Sequence, residues 1–160
     1  MVPRIILLTP VLLCLCLSSC SLGFASKWKK AAAQPAVQAE PLSGAWQGTW
    51  RSDKNGHSGE LLAIVTPKQA SKGKNTTYTF RYKATWQGFL SAVFEAEHLA
   101  QPGQSGGPWL LSGEKHLGLL AGVYRFSGTA TPTHFRARYV SLSDEGVFEM
   151  KRPESPRPGQ

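Results

Sequence analysis

The run Tyr78-Thr79-Phe80-Arg81-Tyr82-Lys83-Ala84-Thr85-Trp86 carries an apolar side chain at every even position and Thr, Arg or Lys at every odd one. Neighbouring side chains of an extended chain point to opposite faces, so this stretch reads as a strand with one dry and one wet face. A helix needs an apolar period near 3.6, which the run lacks. The same alternation recurs further along. Trp46, Gly48 and Trp50 alternate with Gln47 and Thr49, and Tyr124 and Phe126 with Arg125 and Ser127. Phe135, Ala137 and Tyr139 alternate with His134, Arg136 and Arg138, and Phe148 and Met150 with Glu149 and Lys151.

Turn-forming residues separate these runs: Asp53-Lys54-Asn55-Gly56, Ser71 to Asn75, Gln101 to Pro108, Ser112-Gly113-Glu114, Thr131-Pro132 and Ser143 to Gly146. Together they predict eight or nine strands, near 44–52, 57–66, 76–86, 90–99, 108–112, 116–120, 121–130, 133–142 and 146–152. The pair 116–120 and 121–130 also reads as one strand bent around Gly118 and Gly122. Short connections imply antiparallel neighbours, and closing such a meander removes its exposed edges. The expected fold is all-β, a small antiparallel up-and-down barrel of about eight strands; a two-sheet sandwich is the alternative.

The chain has 160 residues and a formal charge of +8. Its length suits one domain, placed here at Leu42–Arg152. All three cysteines, Cys14, Cys16 and Cys20, lie in the first twenty residues. The domain therefore has no disulfide framework, Cys-based zinc site or thiol nucleophile.

Residues 1–19 read as an export signal. Arg4 precedes the stretch Ile5–Leu17, which is apolar apart from Thr9 and Pro10. As a helix it would span roughly 20 Å, short of the ~30 Å hydrocarbon core of a bilayer. A cleaved segment fits better than a permanent span. Leu17-Ser18-Ser19-Cys20 resembles the lipobox of bacterial lipoproteins. That resemblance implies cleavage before Cys20, a diacylglyceryl group on its thiol and an acylated new amino terminus. Ser21 in place of Asp implies the outer membrane where the source has one. The alternative is a secreted or periplasmic protein, cleaved at Gly23-Phe24-Ala25.

Residues 20–41 read as the lipidated Cys and a flexible tether, rich in Ala, Gln and Pro. Within it, Lys27-Trp28-Lys29-Lys30 suits a membrane interface, with Trp at headgroup level and Lys drawn to anionic lipid. Residues 153–160, PESPRPGQ, form a Pro-rich tail expected to be disordered.

Gly44-Ala45-Trp46, opening an all-β meander, resembles the G-x-W start of lipocalins and other calycins. Its extension to Trp50 is similar to the start of small avidin-like barrels. The lipocalin resemblance implies that Trp46 closes the barrel floor beneath an Arg from the end of the barrel, a part Arg152 is placed to play.

No catalytic constellation emerges. Glu95 and Glu97 share a strand face at roughly 6.5 Å, a spacing compatible with glycoside hydrolysis, yet they lack a third partner. A wet face answered by Arg136 and Arg138 is the plainer reading. His57, His98, His116 and His134 are scattered and read as surface residues, giving no metal site. Gly103 to Gly107 lacks the Lys and the strand–helix setting of a phosphate loop, and reads as a flexible hairpin tip. The basic balance does not point to nucleic acid, because the leader implies export and the aromatics lie opposite the Arg and Lys faces. Anionic lipid or an anionic envelope polymer suits that charge better.

Aromatic residues dominate the dry faces: Trp46, Trp50, Tyr78, Phe80, Tyr82, Trp86, Tyr124, Phe126, Phe135 and Tyr139, with Phe94 and Phe148 in the same phase. The interior of an eight-stranded barrel is just wide enough to be filled by side chains or to hold one small ligand. The first reading of function is a lipid-anchored domain of the cell envelope with a structural or interaction role, without enzymatic activity or cofactor. The alternative is a calycin-like binder or carrier of a small hydrophobic molecule, with those ten aromatics lining its site.

Overall fold

The computed structural model describes residues 23–34, 40–69, 75–116 and 122–154. Signal residues 1–19, Cys20, Gly118 and most of the tail lie outside them. Eight strands form a closed antiparallel barrel in chain order: β1 (Gly44–Ser52), β2 (Ser58–Gln69), β3 (Thr76–Trp86), β4 (Leu90–Gln101), β5 (Trp109–His116), β6 (Val123–Ala130), β7 (His134–Val140) and β8 (Glu145–Lys151). The ring closes where β1 pairs with β8, with Gln47 opposite Lys151 and Trp50 opposite Phe148. The up-and-down barrel is therefore the fold.

The alternation of each strand sets its inside and outside. In β7, Phe135, Ala137 and Tyr139 are buried while His134, Arg136, Arg138 and Val140 are exposed. On the outer surface, Arg136 pairs with Glu149 at 3.1 Å, Arg125 with Glu114 at 3.2 Å and Arg138 with Glu145 at 3.2 Å. Such exposed pairs contribute about 0–1 kcal/mol each and chiefly favour the correct register. An apolar interior and a charged exterior reverse the pattern of a barrel that spans lipid. Among the described residues, no helix is long and apolar enough to cross a membrane.

Three sequence expectations change. Ser112-Gly113-Glu114 is not a turn; 108–112 and the start of 116–120 merge into the single strand β5. Gly113 is there for closeness, since a Cβ would run into the Glu97 carbonyl of β4. β2 continues past Pro67 through an irregularity in its register with β3 between Pro67 and Gln69. The local break accommodates a residue that cannot donate to the ladder. Gln104–Gly106, expected to be a flexible hairpin tip, forms one 3-10 turn.

The predicted tether also holds regular structure: residues 23–32 are helical. Phe24, Trp28, Ala31 and Ala32 fall on one helical face, with Ser26, Lys29 and Lys30 on the other and Lys27 at the edge between them. Phe24 is fully buried. The Trp28 indole N–H donates to the Trp46 carbonyl at 2.9 Å, so this side chain is turned to the barrel rather than to a membrane interface. The helix thus covers the end of the barrel at which β1 begins, here called the floor. The β1–β2, β3–β4 and β7–β8 turns lie at the other end, the mouth.

Candidate functional site

Two different layers occupy the barrel. At the floor, Trp46 is fully buried, and the guanidinium carbon of Arg152 lies 4.0 Å from the centre of its ring. Arg152 donates to the carbonyls of Pro41 at 2.7 Å, Ser43 at 2.7 Å, Ala45 at 3.2 Å and Pro132 at 3.0 Å. Burial lowers its pKa to about 10, which leaves it cationic at neutral pH. Gly44 has φ +104°, and a Cβ there would crowd the guanidinium at 3.2 Å. The G-x-W triplet therefore has a local cause: a left-handed residue that clears Arg152, followed by the Trp that Arg152 covers. Trp46 completes the arrangement by donating its indole N–H to the Leu42 carbonyl at 2.9 Å.

Above this floor the barrel is solid. Phe80, Tyr82, His98 and Phe135 are buried and in ring contact, with Phe80–His98 centroids 4.6 Å apart and Phe80–Phe135 5.3 Å. Small inward residues, Ala63, Ala96, Ala100 and Ala137, make room for these rings. His98 is the unexpected member of the layer. It was expected at the surface, yet it is fully buried, because it shares the phase of Phe94 and Ala96 on β4. Its Nε2 lies 3.0 Å from the Tyr82 hydroxyl, and its Nδ1 has no partner among the described residues. Desolvation holds its pKa down at about 4 and pushes the Tyr82 hydroxyl well up, so both are neutral.

The upper part of the interior is open. A cup of about 420 Å³ is lined by Trp50, Trp86, Phe94, Tyr124, Phe126, Tyr139 and Phe148, with Ala84, Ala92, Asn55, His57 and Asp144. Its size falls in the usual range for small-molecule sites. Two local features create it. Ala84 and Ala92 face each other in the β3–β4 register, leaving space where other positions carry rings. Gly59, opposite Trp50 on β2, has no side chain, so the Trp50 indole reaches over it and donates to the Thr85 carbonyl at 3.0 Å. The remaining rings brace one another, with Tyr139–Phe148 centroids 4.9 Å apart and Tyr124 stacked on Tyr139 at 5.9 Å.

Asp144 at the rim is already engaged. It accepts from the Ser52 hydroxyl at 2.6 Å, the Tyr139 hydroxyl at 3.0 Å and the Glu145 N–H at 2.9 Å. Burial first, then Asp144, raises the Tyr139 pKa and keeps that hydroxyl a donor. The group ties the β7–β8 turn to β1. Asn55 and His57 complete the polar part of the rim.

The ten aromatics proposed from the sequence therefore divide. Trp50, Trp86, Tyr124, Phe126 and Tyr139 line the cup. Trp46, Phe80, Tyr82 and Phe135 belong to the packed layers below it, and Tyr78 reaches the floor end, where its hydroxyl donates to Glu40 at 3.0 Å. Phe94 and Phe148 join the cup although they were outside the candidate set; their phase on β4 and β8 carried that signal. Asn55, His57 and Asp144 carried none, because turn residues have no period to read.

Glu95 and Glu97 stand exposed on the outer face, away from the cup. They are answered by Arg81 at 3.8 Å and Lys68 at 2.7 Å, not by Arg136 and Arg138, because β4 lies between β3 and β5 rather than beside β7. His57, His116 and His134 are exposed. Among the described residues, no group of three or more His, Cys, Asp or Glu is placed to hold a metal.

Comparison with family models, curated proteins and solved structures found no match. The functional reading therefore rests on the barrel's own geometry.

Proposed function

We propose that this protein is a lipid-anchored β-barrel of the cell envelope that binds a small apolar molecule with a planar portion in its mouth. The observation that carries the binding reading is the aromatic cup of about 420 Å³ above a solid floor. A purely structural barrel of this width has its interior filled throughout. Here the alanine pair and Gly59 keep the upper part open. Flat rings on several walls favour a planar apolar guest through stacking and edge contacts. Asn55, His57 and the rim carboxylate supply polar groups to orient one end of it. The hydroxyl–carboxylate contacts at the rim, Ser52 and Tyr139 on Asp144, are read as structural ties of the β7–β8 turn, and the cup as a binding site.

The calycin-like character is supported by the Gly44-Ala45-Trp46 start and by Arg152 over Trp46. The anchor rests on Leu17-Ser18-Ser19-Cys20. Two experiments test the parts separately. Titration with the neutral probe N-phenyl-1-naphthylamine is expected to give saturable fluorescence enhancement that Ala84→Phe abolishes. Absence of binding, or binding unaffected by that change, would refute the cup as a site. Metabolic labelling with palmitate is expected to mark the protein and to be lost in Cys20→Ser. Label persisting in that variant removes the anchor assignment.

A further inference from the structure

The floor helix carries the most concentrated set of unpaired charges in the described protein. On the barrel wall, Arg51, Lys68, Arg81, Arg125, Arg136, Arg138 and Lys151 each have a carboxylate within 4.0 Å, and the wall lysines without one among the described residues, Lys83 and Lys115, stand on different strands. Among the described residues, Lys27, Lys29 and Lys30 have none, and all three are exposed. Lys29 and Lys30 lie on the helical side away from Phe24 and Trp28, and Lys27 flanks that stripe with its side chain exposed. That opposite stripe is held to the barrel by the buried Phe24 ring and by the Trp28 indole N–H on the Trp46 carbonyl. The cationic face therefore points away from the barrel at its closed end.

Chain length fixes where this face must lie relative to Cys20. Phe24 is four residues beyond Cys20. Even fully extended, four residues span only about 14 Å. We infer that the closed floor of the barrel rests on an anionic membrane surface through Lys27, Lys29 and Lys30, with the mouth directed away from that membrane. The inference rests on lipidation of Cys20 and adds an orientation to it. The geometry gives the lysines their partner: lipid phosphates lie within reach of an anchored Cys20, and polybasic segments beside an anchor are drawn to anionic headgroups. The orientation has a functional consequence. A guest reaches the cup from the aqueous side or from a partner facing the membrane, not by lateral transfer from the anchoring bilayer.

The test uses the full-length lipidated protein in vesicles of phosphatidylcholine, with or without phosphatidylglycerol. A fluorophore is placed either at Ser26→Cys on the lysine face or at Leu142→Cys, whose native side chain is 95% exposed at the mouth. Quenching is read with a headgroup-labelled lipid, and vesicle association is scored on the same samples by flotation. The Ser26 site is expected to be quenched several-fold more than the Leu142 site, with the difference growing with phosphatidylglycerol. Replacing Lys27, Lys29 and Lys30 by Gln is expected to remove that growth while flotation and probe binding in the cup persist. Protein that floats with the Leu142 site quenched as strongly as the Ser26 site overturns the orientation and leaves the anchor standing. So does a response to phosphatidylglycerol that survives the Gln substitutions. Protein that neither floats nor carries palmitate on Cys20 overturns both.

Discussion

The floor and the mouth of this barrel are built from the same strands and the same kinds of residue, yet one is solid and the other open. At the floor, Trp46, Phe80, Phe135 and Met150 are buried, and Arg152 binds four backbone carbonyls. At the mouth, an equally aromatic set is held apart by Ala84, Ala92 and Gly59. Aromatic content therefore does not decide whether a small barrel is filled. The pairing differs: in the solid layer Ala63 and Ala96 stand opposite Tyr82 and Phe80, whereas at the mouth Ala84 stands opposite Ala92.

The sharpest way to break this comparison is to remove a ring from the floor. Trp46→Ala is expected to cost about 3–5 kcal/mol in urea unfolding, as for a large buried ring whose cavity cannot collapse. A loss below about 1 kcal/mol would mean that the floor is not the stabilising half.

His98 tests the solid layer through pH. Its folded pKa is about 4 against an ordinary 6.5, so the unfolded chain takes up the proton first. Stability from this group is full above the ordinary value, falls as pH drops from 6.5 towards 4, and changes no further below that. The loss is expected to reach about 3 kcal/mol at most, and His98→Gln should flatten this part of the profile relative to wild type. An unchanged profile would show that His98 charges without cost in the folded protein.

Arg152→Ala should lower stability by about 2 kcal/mol, because several floor carbonyls lose a charged donor. Arg152→Lys should recover little, since an ammonium cannot reproduce the planar fork. Full recovery by Lys would reduce the arrangement to simple charge.

The smallest expected effect on stability belongs to the mouth. Ala84→Phe adds a ring to space that is already open, so unfolding should shift by less than about 1 kcal/mol while probe binding disappears. That separation of stability from binding is the signature of an open half. A large destabilisation would indicate that the cup has no room for the added ring.

Much of the barrel was legible because period two is a strong signal in residues such as Tyr78 to Trp86. The limits of β1 and β3 matched the expected ones. The failures share a cause. Gly113 read as part of a turn and the second strand was ended at residue 66, before Pro67, whereas the sheet uses Gly113 for close approach and carries Pro67 at a register irregularity. His98 read as polar surface because residue type was weighed above phase. The helix at residues 23–32 was missed because its apolar stripe is short, and its stability comes from the barrel rather than from propensity. The cup itself was only half legible. Phase tells which rings face inward, but the relative depth of rings on different strands depends on strand stagger, which the alternation does not give.

Arg152 also bears on when the protein can fold. It follows the last strand, and it grips carbonyls of Pro41, Ser43 and Ala45 that precede or begin the first. The β1–β8 seam joins the same distant parts of the chain. Both pairings join residues roughly a hundred positions apart, so their loop-closure cost falls late and they contribute little to early folding. A nascent chain that has not yet reached residue 152 has neither its seam nor its clasp. The barrel is thus timed by its own topology to stay incomplete until residue 152 has been made.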